Sequence, residues 1–571
     1  MPPLQSFFWH RSKVSALRVQ GSAVAVYRAE SFSPPSQRAR HFIAAALAAS
    51  ALLLGFLHGQ PARAAVTPVY PISGYFIYGS TSDAANIKKL TDIKSVGGDT
   101  VITFGSRLKP ATLSTIPTDC KISGVNCATA AASGVKVKRY FTYSDGSSWG
   151  AKSFICARDK TVTAGSVVYT IMVLPVEGSG CNSPSGTYDV VVINGGTNSL
   201  SVSVGKAATD LGMKYYAGLP APVMRTDIGY LPDLSYQATL SLFTARFLIY
   251  QSNVNNVPGL AGFYHHVEMP LSDGAVWDSV LTLYRMQNSR IAQYQPGRSA
   301  VVSPYIDSRS AFSGRVTVAQ ARNAANKIAK TANGVKLAIA AQDGMGTGKG
   351  GSYFPSESSS SVDQYAASIV GNGSWGSKYL ASTRDYFWGL SEGVKGTGAQ
   401  LWANLEGMAP ATSQNPCDNS LRGQTTKTRI NKQVQQLGNT PAKVISFMWD
   451  PYFTCTGTWA PMLDRLKAGN TTPIITDSIF YGNGDVLVTG HNLSGGTIQV
   501  KWTDMYGRVF DKTVTASNYN ASYGKQLGIN PLLESVTAKL GATSLGSGKN
   551  YFINVVNSSG VKNDALYSDQ G

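Results

Sequence analysis

Residues 399–408 read AQLWANLEGM. Leu401, Ala403 and Leu405 alternate with Trp402, Asn404 and Glu406, which is the period-two pattern of a strand with two unlike faces. The first set is apolar and can pack beneath helices. The second carries an indole, an amide and a carboxylate in succession. A glutamate at the end of such a strand points to chemistry if the rest of the chain gathers similar groups around it.

Seven other short apolar segments of this kind occur between residues 71 and 450: SGYFIYG (73–79), DTVITFG (99–105), MKYYAGLP (213–220), LAGFYHHVEMP (260–270), SAVVSPYID (299–307), VKLAIAAQDG (335–344) and KVISFMWDP (443–451). Most are followed by an amphipathic stretch such as DAANIKKLTDI, YQATLSLFTARFLIYQ or TVAQARNAANKIAKTAN. Strand–helix alternation repeated eight times predicts a parallel (β/α)8 barrel over 66–470. A doubly wound open sheet is the alternative, but no G-x-G-x-x-G follows the first strand. More than 100 residues separate the second and third strands. Within that gap, 106–205 holds four cysteines and strand-like runs such as SVVYTIMVLP and YDVVVING, predicting a disulfide-stapled β-rich insertion. From 473 to 571 the pattern changes to short alternating runs (DVLVTG, GTIQVKW, NYFINVVN) with Gly/Asn turns, predicting a small immunoglobulin-like sandwich.

The chain has 571 residues, 43% apolar and 14% charged, which suits two or three well-packed domains with a weakly charged surface. Ala45–Leu57 is an apolar run too short for a stable membrane span, with Arg38, Arg40 and His41 before it and Ala62-Arg63-Ala64 after it. Residues 1–65 thus read as a secretory signal peptide with an extended n-region, cleaved near Ala64 or Ala65; a signal anchor is the alternative. Those residues hold seven Lys/Arg and one acid, so +12 of the +18 formal charge remains on the rest. The positive residues are dispersed, without a run of the kind that binds nucleic acid. All six cysteines lie in the exported part, as an oxidising compartment allows, and sequence proximity favours Cys120–Cys127, Cys156–Cys181 and Cys417–Cys455. Neither a C-x-x-C nor a Cys/His cluster suggests zinc, so no metal and no cofactor is expected.

In a barrel of this type the functional groups gather at the C-terminal ends of the strands. Strand 4 ends His265-His266-Val267-Glu268, strand 5 in Tyr305 and Asp307, and strand 6 in Gln342-Asp343. Strand 7 ends Asn404-Leu405-Glu406 and strand 8 Trp449-Asp450. Carboxylates at five consecutive strand ends form a candidate cleft, although such groups also cap helices or pair with arginine. Glycoside hydrolysis needs two carboxyl groups flanking the scissile bond, one of them protonated. Strands 4 and 7 face each other across a barrel mouth, so Glu268 and Glu406 can hold a sugar between them. Trp402, Trp449, Tyr75, Tyr78, Tyr264 and Tyr305 supply rings on which sugar C–H faces stack, with packing inside the barrel as the alternative.

The eight-strand layout with glutamates at strands 4 and 7 resembles the clan A glycoside hydrolases. More narrowly, QDG (342–344), WANLE (402–406), Arg429 or Gln433 on the next helix, and SFMWDP (446–451) resemble the secreted glycosidase-like barrels filed as domain of unknown function 4434. The resemblance implies that Glu268 is the general acid/base and Glu406 the nucleophile, with Asp343 the substitute carboxylate. Clan A enzymes carry Asn just before the acid/base, where this chain has Val267. Substrate contacts are expected from Trp402, Asn404, Trp449, Asp450, Gln342, Tyr305, His266 and Tyr78.

Two other motifs lack their structural context. Gly146-Ser147-Ser148-Trp149-Gly150 fits G-x-S-x-G, but no elbow helix follows. Gly348-Lys349 lacks the glycine five places earlier and the Ser/Thr of a phosphate loop. The expected function is therefore a secreted glycoside hydrolase acting on a polysaccharide or envelope glycan, with association with the cell surface as a further expectation. The partner is an oligosaccharide or polysaccharide, not nucleic acid, and no membrane span remains after cleavage. A catalytically silent carbohydrate-binding barrel and a structural envelope protein are the alternatives.

Overall fold

The computed structural model describes residues 70–570 apart from 197, 412–416, 418–421, 469 and 542. The expected signal peptide lies outside the described residues. Eight parallel strands close into a barrel: β1 (Gly74–Ile77), β2 (Thr100–Thr103), β3 (Lys214–Gly218), β4 (Leu260–Tyr264), β5 (Ser299–Val302), β6 (Lys336–Gln342), β7 (Gln400–Glu406) and β8 (Lys443–Phe447). Each strand pairs with its sequence neighbours in this set, and β8 pairs with β1 to close the ring. The open sheet is thereby excluded, because it would leave two unpaired edges.

A helix follows every strand: α1 (Asp83–Ser95), α2 (Leu200–Asp210), α3 (Gln237–Val254), α4 (Asp278–Tyr294), α5 (Val318–Ala329), α6 (Thr383–Val394), α7 (Lys427–Gln436) and α8 (Met462–Ala468). Local chemistry starts several of them. Thr317 with Gln320 and Ser382 with Asp385 form capping boxes at α5 and α6, and the Thr426 hydroxyl accepts from Arg429 N at α7. The outward strand residues Leu401, Ala403 and Leu405 join α6 and α7 residues such as Phe387, Leu390, Ile430 and Val434 in one apolar layer. That layer fixes the β7 register and with it the height of Glu406.

Helix α2 corrects the sequence reading. Its stretch LSVSVGKAATD begins inside 106–205, the range expected for the β-rich insertion, so residues 200–205 belong to a barrel helix instead. Tertiary packing holds it there: Val204, Ala207 and Ala208 are buried in the barrel's core, and the Ser199 side chain accepts from Val202 N.

The insertion forms a five-stranded sheet ordered 109–111, 136–143, 187–195, 167–175, 160–164. Trp149 stacks on Phe243 and Tyr250 of α3 at 5.2 and 5.6 Å, which anchors the insertion on the barrel's flank. The disulfides are Cys120–Cys127, Cys156–Cys181 and Cys417–Cys455, as sequence proximity favours. The last joins the segment after β7 to the segment after β8.

From Ile474 onward two four-stranded antiparallel sheets pack face to face, with Val486, Val488 and Val536 of one meeting Ile498, Val500 and Tyr551 of the other. This sandwich leans on the barrel. Arg384 of α6 pairs with Asp477 at 2.7 Å and donates to the Thr476 carbonyl at 2.7 Å, and Asn431 of α7 donates to Asp564 at 2.9 Å. Phe354, from the long β6–α6 connection, is buried within the sandwich core, 5.2 Å from Tyr567. No helix among the described residues is long and apolar enough to cross a membrane.

Candidate active site

The carboxylate that closes β7 is held from several sides. Thr347, in the β6–α6 connection, donates from its backbone N to Glu406 Oε2 at 2.6 Å, and its hydroxyl lies 3.2 and 3.0 Å from Oε1 and Oε2. Glu406 is 3% exposed. The loop reaches this position only because residue 346 is glycine: a Cβ there would stand 2.5 Å from Glu406 Cβ. Beneath the loop, Asp343 accepts from Met345 N at 3.1 Å, from Glu406 N at 3.2 Å and from Gln433 Nε2 at 3.0 Å. Gln433 also donates to the Glu406 carbonyl at 3.0 Å, so α7 is stitched to the ends of β6 and β7. Burial and the Glu406 charge push the Asp343 carboxyl up to about 8, against those three N–H donors.

Glu268 lies four residues beyond β4, on a segment whose Pro270 bridges Tyr305 after β5. Glu268 is exposed as a residue, but its carboxyl is set among protein atoms, and the fully buried Tyr264 donates to its Oε1 at 2.9 Å. Desolvation is the largest influence on it and raises its pKa above the ordinary glutamate value. The Glu406 charge adds to this, while Gln342, Tyr264 and Lys349 oppose it. Two carboxyl groups thus share one mouth, the outer one biased toward its protonated form and the inner one enclosed by hydrogen-bond donors. That bias suits an acid that gives up a proton.

Between them runs a polar seam. Asn404 Nδ2 donates to Ser303 Oγ at 2.9 Å, Gln342 Nε2 donates to the Ser303 carbonyl at 2.9 Å, and the Lys349 ammonium sits 4.4 Å from the centre of the Tyr305 ring. Asn404 Oδ1 is buried without a partner. On the β1–β2–β8 side the floor is aromatic. Phe104 stacks on Phe76 at 5.3 Å and lies 6.0 Å from Phe447 and 5.8 Å from Tyr78, which is 48% exposed. Polar groups at one wall and rings at the other match the two faces of a pyranose.

The structure separates several residues from the expected site. Trp402 lies four residues, about 13 Å along the strand, below Glu406. It packs edge-on against Tyr216 at 5.9 Å and pairs in register with Lys443, the first residue of β8, which places it low in the barrel. Trp449 is buried between Tyr75 and Phe453, at 4.8 and 5.6 Å, and faces the helical layer instead of the mouth. Asp450 is bound by Lys89 of α1 at 2.5 Å, a rim ion pair. Asp307 is held by Arg309 at 2.6 Å. Asp343 is wholly buried beneath the loop that covers Glu406, with N–H donors on both carboxyl oxygens. His265 lies between Gln287 and Asn288 of α4, at 2.9 and 2.8 Å, and orients the segment that carries Glu268.

Glu268, Glu406, Gln342, Asn404, Tyr305, His266 and Tyr78 do converge. Sequence reasoning missed Thr347, Lys349 and Phe104. The signal for the first two was the glycine-rich run GMGTGKG directly after β6, which permits a close backbone approach that no other residues would. Among the described residues no group of three or more His, Cys, Asp or Glu could hold a metal ion.

No protein-family model and no curated protein matches the chain. Solved structures with a similar fold include a protein named as an alpha-L-fucosidase from Bacteroides thetaiotaomicron, 16% identical, covering 72% of this chain and 98% of that one at a TM-score of 0.38. Another is an endo-beta-1,4-mannanase from Thermotoga petrophila, 12% identical, covering 88% and 98% at a TM-score of 0.35. A beta-mannanase from the blue mussel Mytilus edulis is 9% identical, covering 71% and 92% at a TM-score of 0.30. These likenesses are partial, and the barrel rests on its own strand order.

Proposed function

We propose that this protein is an exported glycoside hydrolase that uses Glu268 as general acid/base and Glu406 as nucleophile or charge stabiliser. The carrying observation is the pairing of two carboxyl groups at the ends of β4 and β7. They are close enough for the Glu406 charge to raise the Glu268 pKa, and an aromatic floor lies beside them. Glu268 protonates the leaving glycosidic oxygen as the bond to the anomeric carbon breaks. Glu406 either attacks that carbon or stabilises its positive charge, and Glu268, now ionised, takes a proton from the incoming water. Three disulfides support an oxidising compartment.

One observation favours the second reading, a silent carbohydrate-binding barrel: Thr347 closes over both Glu406 oxygens and leaves the residue 3% exposed. Screening the purified protein against a panel of bacterial and plant glycans separates the two. Release of reducing ends from at least one glycan, lost in Glu268→Gln, supports the hydrolase. Binding to a glycan without release supports the silent barrel.

A further inference from the structure

Arg107 stands just beyond β2, where its backbone bridges Ala221 beyond β3. The two strand ends meet without side chains: a Cβ on Gly105 would lie 1.8 Å from the Leu219 carbonyl oxygen, and one on Gly218 would lie 2.0 Å from Gly105 N. Arg107 is therefore carried on a rigid corner of the barrel mouth, not on a wandering loop. Arg107 follows β2 and His266 follows β4, on either side of β3, and the Arg107 charge helps to lower the His266 pKa.

The guanidinium has no carboxylate there. Its Nε is buried without a partner, and no hydrogen bond or ion pair to its side chain exists among the described residues. His266 Nδ1 is likewise buried without a partner. Burial, the larger influence on both groups, pushes the Arg107 pKa down and the His266 pKa to about 4, so the imidazole is neutral in ordinary buffers. Four other arginines have carboxylate partners, Arg139 with Asp189, Arg246 with Asp159, Arg309 with Asp307 and Arg384 with Asp477, and the half-buried Arg298 and Arg465, which have none, donate to backbone carbonyls. A half-buried guanidinium left without a counter-charge or acceptor is costly unless a ligand supplies one. His266 lies 6.2 Å from Phe104, which in turn lies 6.2 Å from Tyr264, the donor to Glu268, so this corner adjoins the cleft.

We infer that Arg107, with His266 beside it, binds the carboxylate of an acidic sugar, so that the substrate is a uronate-containing glycan. This rests on the hydrolase reading for turnover, but not for binding. The planar guanidinium fork matches a carboxylate in two parallel hydrogen bonds, a fit that an ammonium does not offer. Lys349, on the opposite wall, offsets the repulsion that an anionic chain would meet from Glu268 and Glu406.

The test is binding of oligogalacturonate, oligomannuronate and oligoglucuronate to the full-length Glu406→Gln protein by calorimetry, with their carboxyl-reduced forms and a sulfated neutral oligosaccharide as controls. At least one uronate should bind, and its reduced form should bind at least about tenfold more weakly. Arg107→Gln should lower uronate affinity about ten- to a hundredfold and leave neutral sugars unaffected, and Arg107→Lys should restore only part of it. If Arg107→Gln does not fold, the Arg107→Lys comparison stands in its place. Equal affinity for uronates and their reduced forms, preference for the sulfated control, or unchanged uronate affinity in both variants would overturn the inference. Arg107-dependent binding without turnover by the wild-type protein would leave it standing and refute the hydrolase.

Discussion

The proton on Glu268 decides when this site can work. Its raised pKa comes first from desolvation and then from Glu406, and Tyr264 and Lys349 pull it back toward the ionised form. A general acid must be protonated, so activity is present below the raised pKa and falls as pH climbs through it. Removing a group that favours the ionised form moves that fall to higher pH. Tyr264→Phe and Lys349→Met should each shift the alkaline limb of the kcat profile upward, by up to about one pH unit for loss of a single hydrogen bond or charge. A downward shift in either variant would contradict the assignment of Glu268 as the acid. At this scale the sequence was half legible. Glu268, Glu406 and Gln433 could be read from strand ends and the following helix. Trp402 lies lower than its strand pattern tells, because a period-two pattern gives the face of a side chain and not its height in the barrel, and Trp449 lies beyond the end of β8, where the pattern no longer fixes the face.

Between residues, the element that matters most is the connection from β6 into α6. It passes over Glu406 at Gly346, donates from Thr347, presents Lys349 to Glu268 and Tyr305, and then places Phe354 in the sandwich. Gly346→Ala should push the loop off Glu406, since a Cβ at 2.5 Å from another Cβ cannot be accommodated without movement. The expected result is a fall in kcat of about tenfold or more, with global stability lowered by about 1–3 kcal/mol. Wild-type kinetics in this variant would show that the Thr347 contact is incidental. All eight strands were legible because each is a short apolar run bounded by turn residues. Helix α2 was not, because Ser and Val alternate along it and only burial against the barrel makes it helical.

For the whole molecule, the feature the sequence did not carry is the contact between the barrel and the sandwich. From 473 onward the alternating runs read as a small immunoglobulin-like sandwich, without a sign of what it touches. Yet Phe354 is buried in the sandwich core, and Arg384 loses its Asp477 partner if that sandwich is absent. A protein ending near Asn470 should therefore expose Phe354, loosen the 343–357 connection and lose both thermal stability and turnover of small soluble substrates. Full activity in the shortened protein would show that the sandwich is an appendage. Contacts between distant segments of this kind have no local sequence signature, since Phe354 and Tyr567 are each ordinary aromatics in their own surroundings.

The central claim is that two carboxyl groups at the ends of β4 and β7 carry out hydrolysis, and Glu406 is where it is most exposed to test. The decisive measurement is turnover by Glu406→Ala on an activated aryl glycoside of the sugar that the wild type cleaves, with and without azide. A retaining mechanism predicts near-complete loss of hydrolysis and azide rescue that yields a glycosyl azide of inverted anomeric configuration. Near-normal hydrolysis without azide would contradict the account and leave Glu406 a structural strand end.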